Sequence, residues 1–362
     1  MNENNRDSFV EVLRGLVQAK ASDIFIIVGQ PVSYKFNREI VRYDDVTLNV
    51  NRAEEIIREV YAMANREIDQ FISKGDDDFS FSVKGLSRFR ASTYRQRGSY
   101  AMVIRVVPFE LPKIELLNIP DAVKDLYTTQ RGLVLVSGAS GNGKTTTLSA
   151  IINEINENRS VHVITLEDPI EYLHNHKLSI VSQREISIDT GGYPVALRAA
   201  LRQSPDVILI GELRDAETEK IALTAAETGH LVLAALHTFG AANSIDRIVD
   251  SFPPDQQEQI RIQLSMVLKT VVSQQLIPTK NGTLMPVFEI MHRNNAIRTL
   301  IRDGRTHQIN FIIQSSKEEG MISMDSSILS LYKKGIITKE VALMHSLSTS
   351  FMQQKLKEDE YQ

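Results

Sequence analysis

The spacing of apolar residues predicts two kinds of structure in succession along the chain. Over roughly the first hundred residues, an amphipathic helix at 1–20 precedes several short segments in which apolar and polar residues alternate, as in strands. After residue 121, short apolar runs alternate with stretches of helical periodicity. That order is typical of an α/β protein in which helices cover both faces of a parallel sheet.

The predicted elements divide the chain into four parts. These are a small α+β domain at 1–108, a proline-containing linker at 109–120, an α/β domain with a mainly helical end at 121–345, and a polar, disordered tail at 346–362. In the first domain we predict helices at 1–20, 51–63 and 68–72 and strands at 23–28, 32–36, 78–83, 87–95 and 100–107. In the second we predict helices at 121–127, 146–158, 195–203, 215–228, 257–276, 296–303, 306–315, 324–333 and 338–344 and strands at 132–137, 161–166, 207–211, 231–236 and 283–291.

One stretch carries an explicit chemical signal. Gly138 to Thr145 reads Gly-Ala-Ser-Gly-Asn-Gly-Lys-Thr, the phosphate-binding P-loop pattern, between a predicted strand and a predicted helix. Its glycines allow backbone N–H groups to surround a phosphate chain, and the helix N-terminus adds a partial positive charge. An incidental glycine-rich turn is the alternative, but the strand–loop–helix order favours nucleotide binding. The predicted nucleotide-binding residues are Ser140, Gly141, Asn142, Gly143, Lys144, Thr145 and Thr146.

Composition narrows the function classes. The 362 residues carry a net charge of −4 and include no cysteine, which excludes disulfides, thiolate metal sites and a cysteine nucleophile and gives no reason to expect nucleic acid as a partner. The N-terminus lacks an apolar signal core, and no apolar run approaches the roughly 18 residues of a membrane span. We expect a cytoplasmic protein that associates with a membrane only through partners.

Hydrolysis of a nucleotide needs further groups, and the sequence offers candidates. An apolar strand ends at Glu212, where a carboxylate could serve Mg²⁺ together with Thr145. Another strand ends at Glu167, which could polarise the attacking water, although a strand followed by Glu-Asp-Pro is more often a capped turn. His230 and His237 bracket a third strand, and one could sense the γ-phosphate. A lone histidine is usually structural, however, and this spacing is not that of zinc ligands.

Four blocks together resemble the secretion ATPase superfamily. They are Gly138-Ala-Ser-Gly-Asn-Gly-Lys-Thr-Thr-Thr-Leu, Thr165-Leu-Glu-Asp-Pro-Ile-Glu-Tyr, Gly211-Glu-Leu-Arg-Asp and Ala225-Ala-Glu-Thr-Gly-His-Leu, which are similar to its Walker A, Asp box, Walker B and His box. The resemblance implies a PAS-like α+β N-terminal domain, a RecA-like P-loop domain, and a homohexameric ring that hydrolyses ATP with Mg²⁺.

The resemblance also implies roles for individual residues. Glu167 would activate water, Glu212 would serve Mg²⁺, and His230 and His237 would sense nucleotide or link neighbouring subunits. Several arginines lie on the last two predicted strands of the first domain. Without the resemblance, they would be interpreted as the solvent-exposed face of a sheet. Of these, Arg88, Arg90 and Arg105 match segments that supply arginine fingers in the superfamily. An arginine on a mobile N-terminal domain could reach phosphate only when the two domains close. Arg95 and Arg97 have no such match.

Three features place the resemblance in the pilus-retraction branch. Residues 236–253 are similar to that branch's continuation of the His box, and 296–303 match its C-terminal motif in six of eight places. The four-cysteine insertion common in related branches has no counterpart in a chain without cysteine. The chain departs from the usual sequence of the family at Phe25 and at 35–39. Both positions lie in the first domain, so they affect the expected partner contacts and not the ATPase chemistry.

We therefore predict a hexameric ATP-driven motor for pilus retraction. It would work with an inner-membrane pilus platform protein at the inner face of the cytoplasmic membrane. One alternative is a secretion-system ATPase of the DotB or general-secretion type. The other is a regulatory nucleotide-binding protein without turnover, against which the intact Lys144, Glu167 and Glu212 argue.

Overall fold

The computed structural model describes residues 8–36, 39–107, 111 and 113–360 of the chain. The chain divides into two compact units, Met1–Glu110 and Leu111–Gln362. Several predicted positions lie outside the described residues. They are 1–7 of the first predicted helix, 37 and 38 of the divergent turn, 108 at the end of the predicted first domain, 109, 110 and 112 of the linker, and 361 and 362 of the tail.

The first unit is a six-stranded antiparallel sheet packed against helices. Its strand order is β3-β2-β1-β6-β5-β4. Ser8 and Asn49 cap the two longer helices through their side chains, and Phe9, Ile57 and Phe89 lie in the shared core. The elements are α1 (Phe9–Gln18), β1 (Asp23–Ile26), β2 (Ser33–Phe36), β3 (Glu39–Arg42), α2 (Val50–Met63), α3 (Asp69–Lys74), β4 (Asp76–Val83), β5 (Ser87–Gln96) and β6 (Ser99–Val107).

The second unit contains a seven-stranded sheet with the order β13-β12-β7-β11-β10-β8-β9. Every neighbouring pair is parallel except the antiparallel hairpin of the last two strands. The strands are β7 (Gly132–Ser137), β8 (His162–Glu167), β9 (Ile180–Glu185), β10 (Val207–Ile210), β11 (Leu231–Leu236), β12 (Leu268–Pro278) and β13 (Leu284–His292). The helices are α4 (Asp121–Lys124), α5 (Lys144–Asn158), α6 (Tyr193–Ala200), α7 (Ala216–Glu227), α8 (Ala241–Asp250), α9 (Pro254–Val267), α10 (Asn295–Arg302), α11 (Ile309–Ser315), α12 (Met324–Lys333), α13 (Lys339–His345) and α14 (Thr349–Glu360).

Helices cover both faces of this sheet, which confirms the α/β architecture predicted from the apolar runs. Alternate residues of β7 enter two separate cores: Leu133 and Leu135 pack with α6 to α10, while Val134 and Val136 pack with α4 and α5. A strand buried on both faces has no polar alternation, and for that reason β7, β10 and β11 read as continuous apolar runs. Among the described residues, no helix is long and apolar enough to cross a membrane.

The structure differs from the predicted elements at several places in the second unit. Strand β9 and helix α8 were not predicted, and two predicted elements take a different form. The helix predicted over 257–276 ends at Val267, and the chain continues as β12, which pairs with β7 on one side and β13 on the other. The β-branched run Thr270-Val-Val favours a strand, and ladder pairing on both sides outweighs the apolar spacing that suggested a helix. The predicted disordered tail contains α14, because Met352 and Leu356 are fully buried against α12 and α13.

Candidate active site

The P-loop joins β7 to α5 at the carboxyl edge of the parallel strands. Gly141 and Gly143 adopt positive φ angles of 80° and 79°, a region open to glycine at no steric cost, and α5 begins directly at Lys144. Gly143 caps the helix without a side-chain acceptor, so the first N–H groups of α5 remain available to an anion.

Lys144 is buried and folds back onto its own loop. Its Nζ donates hydrogen bonds to the carbonyl oxygens of Gly138 at 2.8 Å and Ala139 at 2.9 Å. Burial lowers the pKa of this ammonium, and the nearby carboxylates of Glu212 and Glu171 act in the opposite direction. The ammonium therefore lies at the base of the loop, facing the acidic side of the site.

Glu167 is the last residue of β8, and it is only 4% exposed. Thr165 Oγ1 donates to its Oε1 at 2.6 Å, and Gln183 Nε2 donates to the same oxygen at 3.2 Å. Burial raises the pKa of Glu167 to about 7, although both hydrogen bonds oppose that rise. A carboxyl group with a pKa near neutrality is suited to accept a proton at physiological pH.

Glu212 follows β10 and is held on both sides by other side chains of the site. Arg214 Nη2 forms an ion pair with its Oε1, and His237 Nε2 lies 3.2 Å from its Oε2. The other ring nitrogen of His237 lies 3.4 Å from Ser140 Oγ in the P-loop. This chain of contacts connects the P-loop to the ends of β10 and β11.

A cleft of about 270 Å³ brings most of the predicted site together. Its walls include the ends of four parallel strands, because carboxyl ends of parallel strands meet at one edge of the sheet. Asn142, Gly143 and Thr146 are not among its lining residues. Asn142 Oδ1 accepts a hydrogen bond from Leu276 N, and Thr146 Oγ1 lies 3.1 Å from Tyr172 Oη. The lining residues from the sequence prediction are Ser140, Gly141, Lys144, Thr145, Glu167, Glu212 and His237.

His230 does not lie in this cleft. It precedes β11, at the amino edge of the sheet, whereas His237 follows the same six-residue strand at the carboxyl edge. At about 3.3 Å per residue the two histidines are about 20 Å apart. The His230 Nδ1 atom lies 3.0 Å from the carbonyl oxygen of Ala225.

The three predicted arginines lie in the first unit, on one pair of strands. Arg90 of β5 is directly opposite Arg105 of β6, and Asp23 of β1 is opposite Arg105 on its other side. Arg105 Nε donates to Asp23 Oδ1 at 2.9 Å while its side chain remains 68% exposed. Arg88 is half-buried two residues earlier on β5, opposite Val107. These strands thus present two exposed guanidinium groups side by side.

The oxygen atoms that line the cleft are suitable ligands for Mg²⁺. Thr145 supplies a hydroxyl in the first turn of α5, Glu212 supplies a carboxylate, and both line the same cleft. Mg²⁺ prefers oxygen ligands and is commonly bound by one or two protein groups plus phosphate and water. Within the part of the chain that the structure describes, no group of three or more His, Cys, Asp or Glu side chains is placed to hold a metal ion.

Sequence reasoning did not single out several residues that form this site. Arg214 pairs with Glu212 and lies 3.7 Å from Asp168, and its position two residues after Glu212 was the available signal. Tyr193 also lines the cleft: its hydroxyl lies so close to Gly211 that a Cβ there would be 2.9 Å away. Nothing near Tyr193 in the sequence indicates that contact.

Comparison with known proteins gives the class of this protein. The profile of the type II/IV secretion system protein family matches residues 6–361, and the chain belongs to that family. Within the family, the chain is 39% identical to the type IV pilus ATPase PilU of Pseudomonas aeruginosa, over 96% of this chain and 91% of PilU. It is also 39% identical to the type IV pilus retraction ATPase PilT of the same organism, over 92% of this chain and 96% of PilT.

A solved structure gives the same result. The crystal structure of the pilus retraction motor PilT with bound ADP superimposes with a TM-score of 0.89 and 40% sequence identity, over 96% of this chain and all of that one. Homologues named for pilus retraction therefore match nearly the whole chain. This confirms the resemblance and the fold class expected from the four sequence blocks.

Proposed function

We propose that this chain hydrolyses ATP in the cleft beside its P-loop and uses the energy to retract a type IV pilus. The observation that carries the proposal is the grouping of the P-loop, Glu167 and Glu212 in one cleft. The chain that folds around this cleft is 40% identical over almost its whole length to a pilus retraction motor.

The chain's own residues account for binding and proton transfer. The loop N–H groups and the Lys144 ammonium bind the phosphates, and Thr145 and Glu212 hold Mg²⁺. When bound, Mg²⁺ neutralises charge that develops on the phosphate oxygens. Because Arg214 and His237 engage both oxygens of Glu212, its carboxylate is kept oriented toward the cleft.

Glu167 is the proposed general base. Both of its hydrogen-bond donors reach Oε1, so Oε2 is the oxygen that would accept a proton from the attacking water. With a pKa of about 7, roughly half of the Glu167 side chains are ionised at neutral pH. The base therefore combines a substantial ionised fraction with a proton affinity high enough for transfer from water.

The exposed arginines of the first unit are proposed to supply positive charge to the transition state. Arg90 and Arg105 face each other across β5 and β6, an arrangement of like charges that favours binding of an anion. We infer that Arg88, Arg90 and Arg105 are arginine fingers that reach phosphate in the assembled motor. Their contribution then depends on domain movement, which couples hydrolysis to mechanical work.

We further propose a homohexameric ring that acts with an inner-membrane platform protein of the pilus, at the cytoplasmic face of that membrane. His230 lies about 20 Å from the cleft-lining His237, too far to sense nucleotide in its own chain. We therefore assign it to a contact between copies. The motif at 296–303 lies on α10, outside the residues that line the cleft, which suits a role in coupling rather than in hydrolysis.

The two rival interpretations of the sequence have less support. A secretion-system ATPase would use the same chemistry, but the solved structure of the Legionella pneumophila ATPase DotB is 27% identical with a TM-score of 0.75, against 40% and 0.89 for the pilus retraction motor. A regulatory protein without turnover would not need Glu167 to be buried with a pKa near 7.

The test uses purified protein and the Lys144→Ala variant. We expect Mg²⁺-dependent ATP turnover in the wild type and none in the variant, because the phosphates lose their buried cation. Lys177→Ala, which removes an exposed lysine that pairs with Glu157, is the matched control and keeps full activity. In a piliated strain that lacks its own retraction ATPase, the wild type restores twitching and Lys144→Ala does not. Unchanged turnover in Lys144→Ala contradicts the ATP site; turnover without restored twitching contradicts the retraction function.

A further inference from the structure

The strand next to the P-loop strand brings additional side chains to the nucleotide site. β12 runs parallel to β7, with Ser273 opposite Ser137, the last residue before the P-loop. The residues that follow Ser273 therefore run alongside the loop itself. They come from a part of the chain more than a hundred residues away from the P-loop motif.

Gln274 lies against both the loop and the helix that follows it. Its Oε1 accepts a 2.7 Å hydrogen bond from Thr147 Oγ1 in the first turn of α5, and both side chains are almost fully buried. A Cβ at Gly143 would lie 2.9 Å from Gln274 Nε2, and a Cβ at Gly138 would lie 2.4 Å from the Gln274 carbonyl oxygen. The two P-loop positions thus accommodate Gln274 only because they are glycine.

A neighbouring contact adds to the same support. Leu276 N donates to Asn142 Oδ1 at 3.2 Å, so the middle of the loop is also tied to β12. The start of the loop at Gly138, its middle at Asn142 and Gly143, and the helix after it at Thr147 therefore all lie against one strand. Such support reduces the entropy that the loop would lose on ordering around a phosphate chain.

We propose that Gln274 is a positioning residue for nucleotide binding, which holds the P-loop in its phosphate-binding curvature through Thr147 and Gly143. It acts on the loop and not on the reacting atoms. The inference rests on the proposed function, because it concerns the same ATP site. It goes beyond that function by assigning a role to β12, which contains none of the nucleotide-binding motifs.

The chain provides a matched control in the next residue. Gln275 is also a buried glutamine of β12, but its side chain lies on the opposite face of the strand. Its Nε2 donates to the carbonyl oxygen of His345 at 3.4 Å, and its Oε1 lies 3.4 Å from His345 Nδ1. Its replacement therefore tests the loss of a buried amide from this strand without touching the P-loop.

The experiment compares Gln274→Leu with Gln275→Leu in the full chain. We expect Gln274→Leu to raise the KM for ATP and the Kd for a fluorescent ADP analogue about tenfold, since a hydrogen bond of about 1.4 kcal/mol corresponds to that factor. The kcat should change little, because the lost interaction stabilises the bound substrate and the transition state equally. Gln275→Leu should leave both KM and Kd at the wild-type values, even where it lowers the melting temperature as much as Gln274→Leu.

A double-mutant cycle with Thr147→Val tests the contact itself. If Gln274 acts through Thr147, the single variants have similar effects on the Kd and the double variant is little worse than either. If Gln274→Leu does not fold, Thr147→Val tests the same contact, and this single variant should raise the Kd for ADP. An unchanged Kd in Gln274→Leu, an equal rise in Gln275→Leu, or additive effects in the cycle would overturn the proposal. Because ADP binding is measured without turnover, a chain that binds nucleotide but fails to hydrolyse it contradicts the proposed function and not this inference.

Discussion

The hydrogen bond from Thr165 to Glu167 offers a direct test of the proposed general base. Thr165 lies two residues before Glu167 on β8 and is fully buried, and its hydroxyl donates to Glu167 Oε1 at 2.6 Å. This hydrogen bond stabilises the ionised carboxylate and so lowers a pKa that burial raises. Thr165→Val keeps the shape of the side chain but removes the donor, and we expect the pKa of Glu167 to rise further.

The size of the effect follows from the strength of the lost hydrogen bond. A hydrogen bond to a charged group contributes about 1.5 kcal/mol or more, and one pKa unit corresponds to about 1.4 kcal/mol. The pKa of Glu167, about 7 in the wild type, should therefore rise by about one unit. A general base works only when ionised, so activity is lost as the pH falls below this pKa. At pH 7 the ionised fraction drops from roughly one half to roughly one tenth, which predicts a fivefold lower kcat/KM and no change at high pH.

The assay is the pH profile of kcat/KM for ATP hydrolysis, which reports the ionisation of the free enzyme. ATP's own ionisation is common to all variants and cancels in the comparison. Thr218→Val is the matched control, because this buried threonine donates to Asp215 Oδ2 at 2.9 Å outside the cleft lining. Glu167→Gln should abolish turnover and retain ADP binding. An acidic limb that stays at the same pH in Thr165→Val, or that moves equally in Thr218→Val, would refute Glu167 as the base.

Two further predictions concern residues outside the cleft. Arg105→Ala should lower ATP turnover on the order of a hundredfold and leave the ADP affinity unchanged, since an arginine finger contributes at least that much to the rate. Arg97→Ala is the control and should have no effect, because Arg97 is an exposed arginine in the β5–β6 turn. A loss of ADP binding in Arg105→Ala would instead indicate a structural role. Ala296→Glu changes an exposed residue at the start of α10. ATP turnover should stay within about twofold of the wild type, as is usual for surface substitutions, but twitching should be abolished. Normal pilus retraction in a strain with this variant would show that α10 does not couple hydrolysis to retraction.

The chemistry of the site was predictable because its main residues are encoded locally. The P-loop is a contiguous pattern, and the other groups lie at or just after the ends of apolar strands. Glu167 is the last residue of β8, Glu212 comes two residues after β10, and His237 follows β11 directly. Parallel strands place their carboxyl ends at one edge, so a strand assignment alone predicted that these groups converge. His230 shows the limit of such reasoning, since a residue that precedes a strand goes to the opposite edge.

Only the tertiary structure could reveal the contacts made between distant segments. Residues 268–276 were predicted as the end of a helix from their apolar spacing, but they form a strand because β7 and β13 offer hydrogen-bonding partners on both sides. The polar tail becomes a helix because two of its apolar residues find a core on α12 and α13. The hydrogen bond between Thr147 and Gln274 joins residues 127 positions apart. The sequence alone determined which groups can bind and hydrolyse a nucleotide, through motifs that depend on neighbours in the chain. The folded sheet decided what holds those groups in place, because that support depends on neighbours in space.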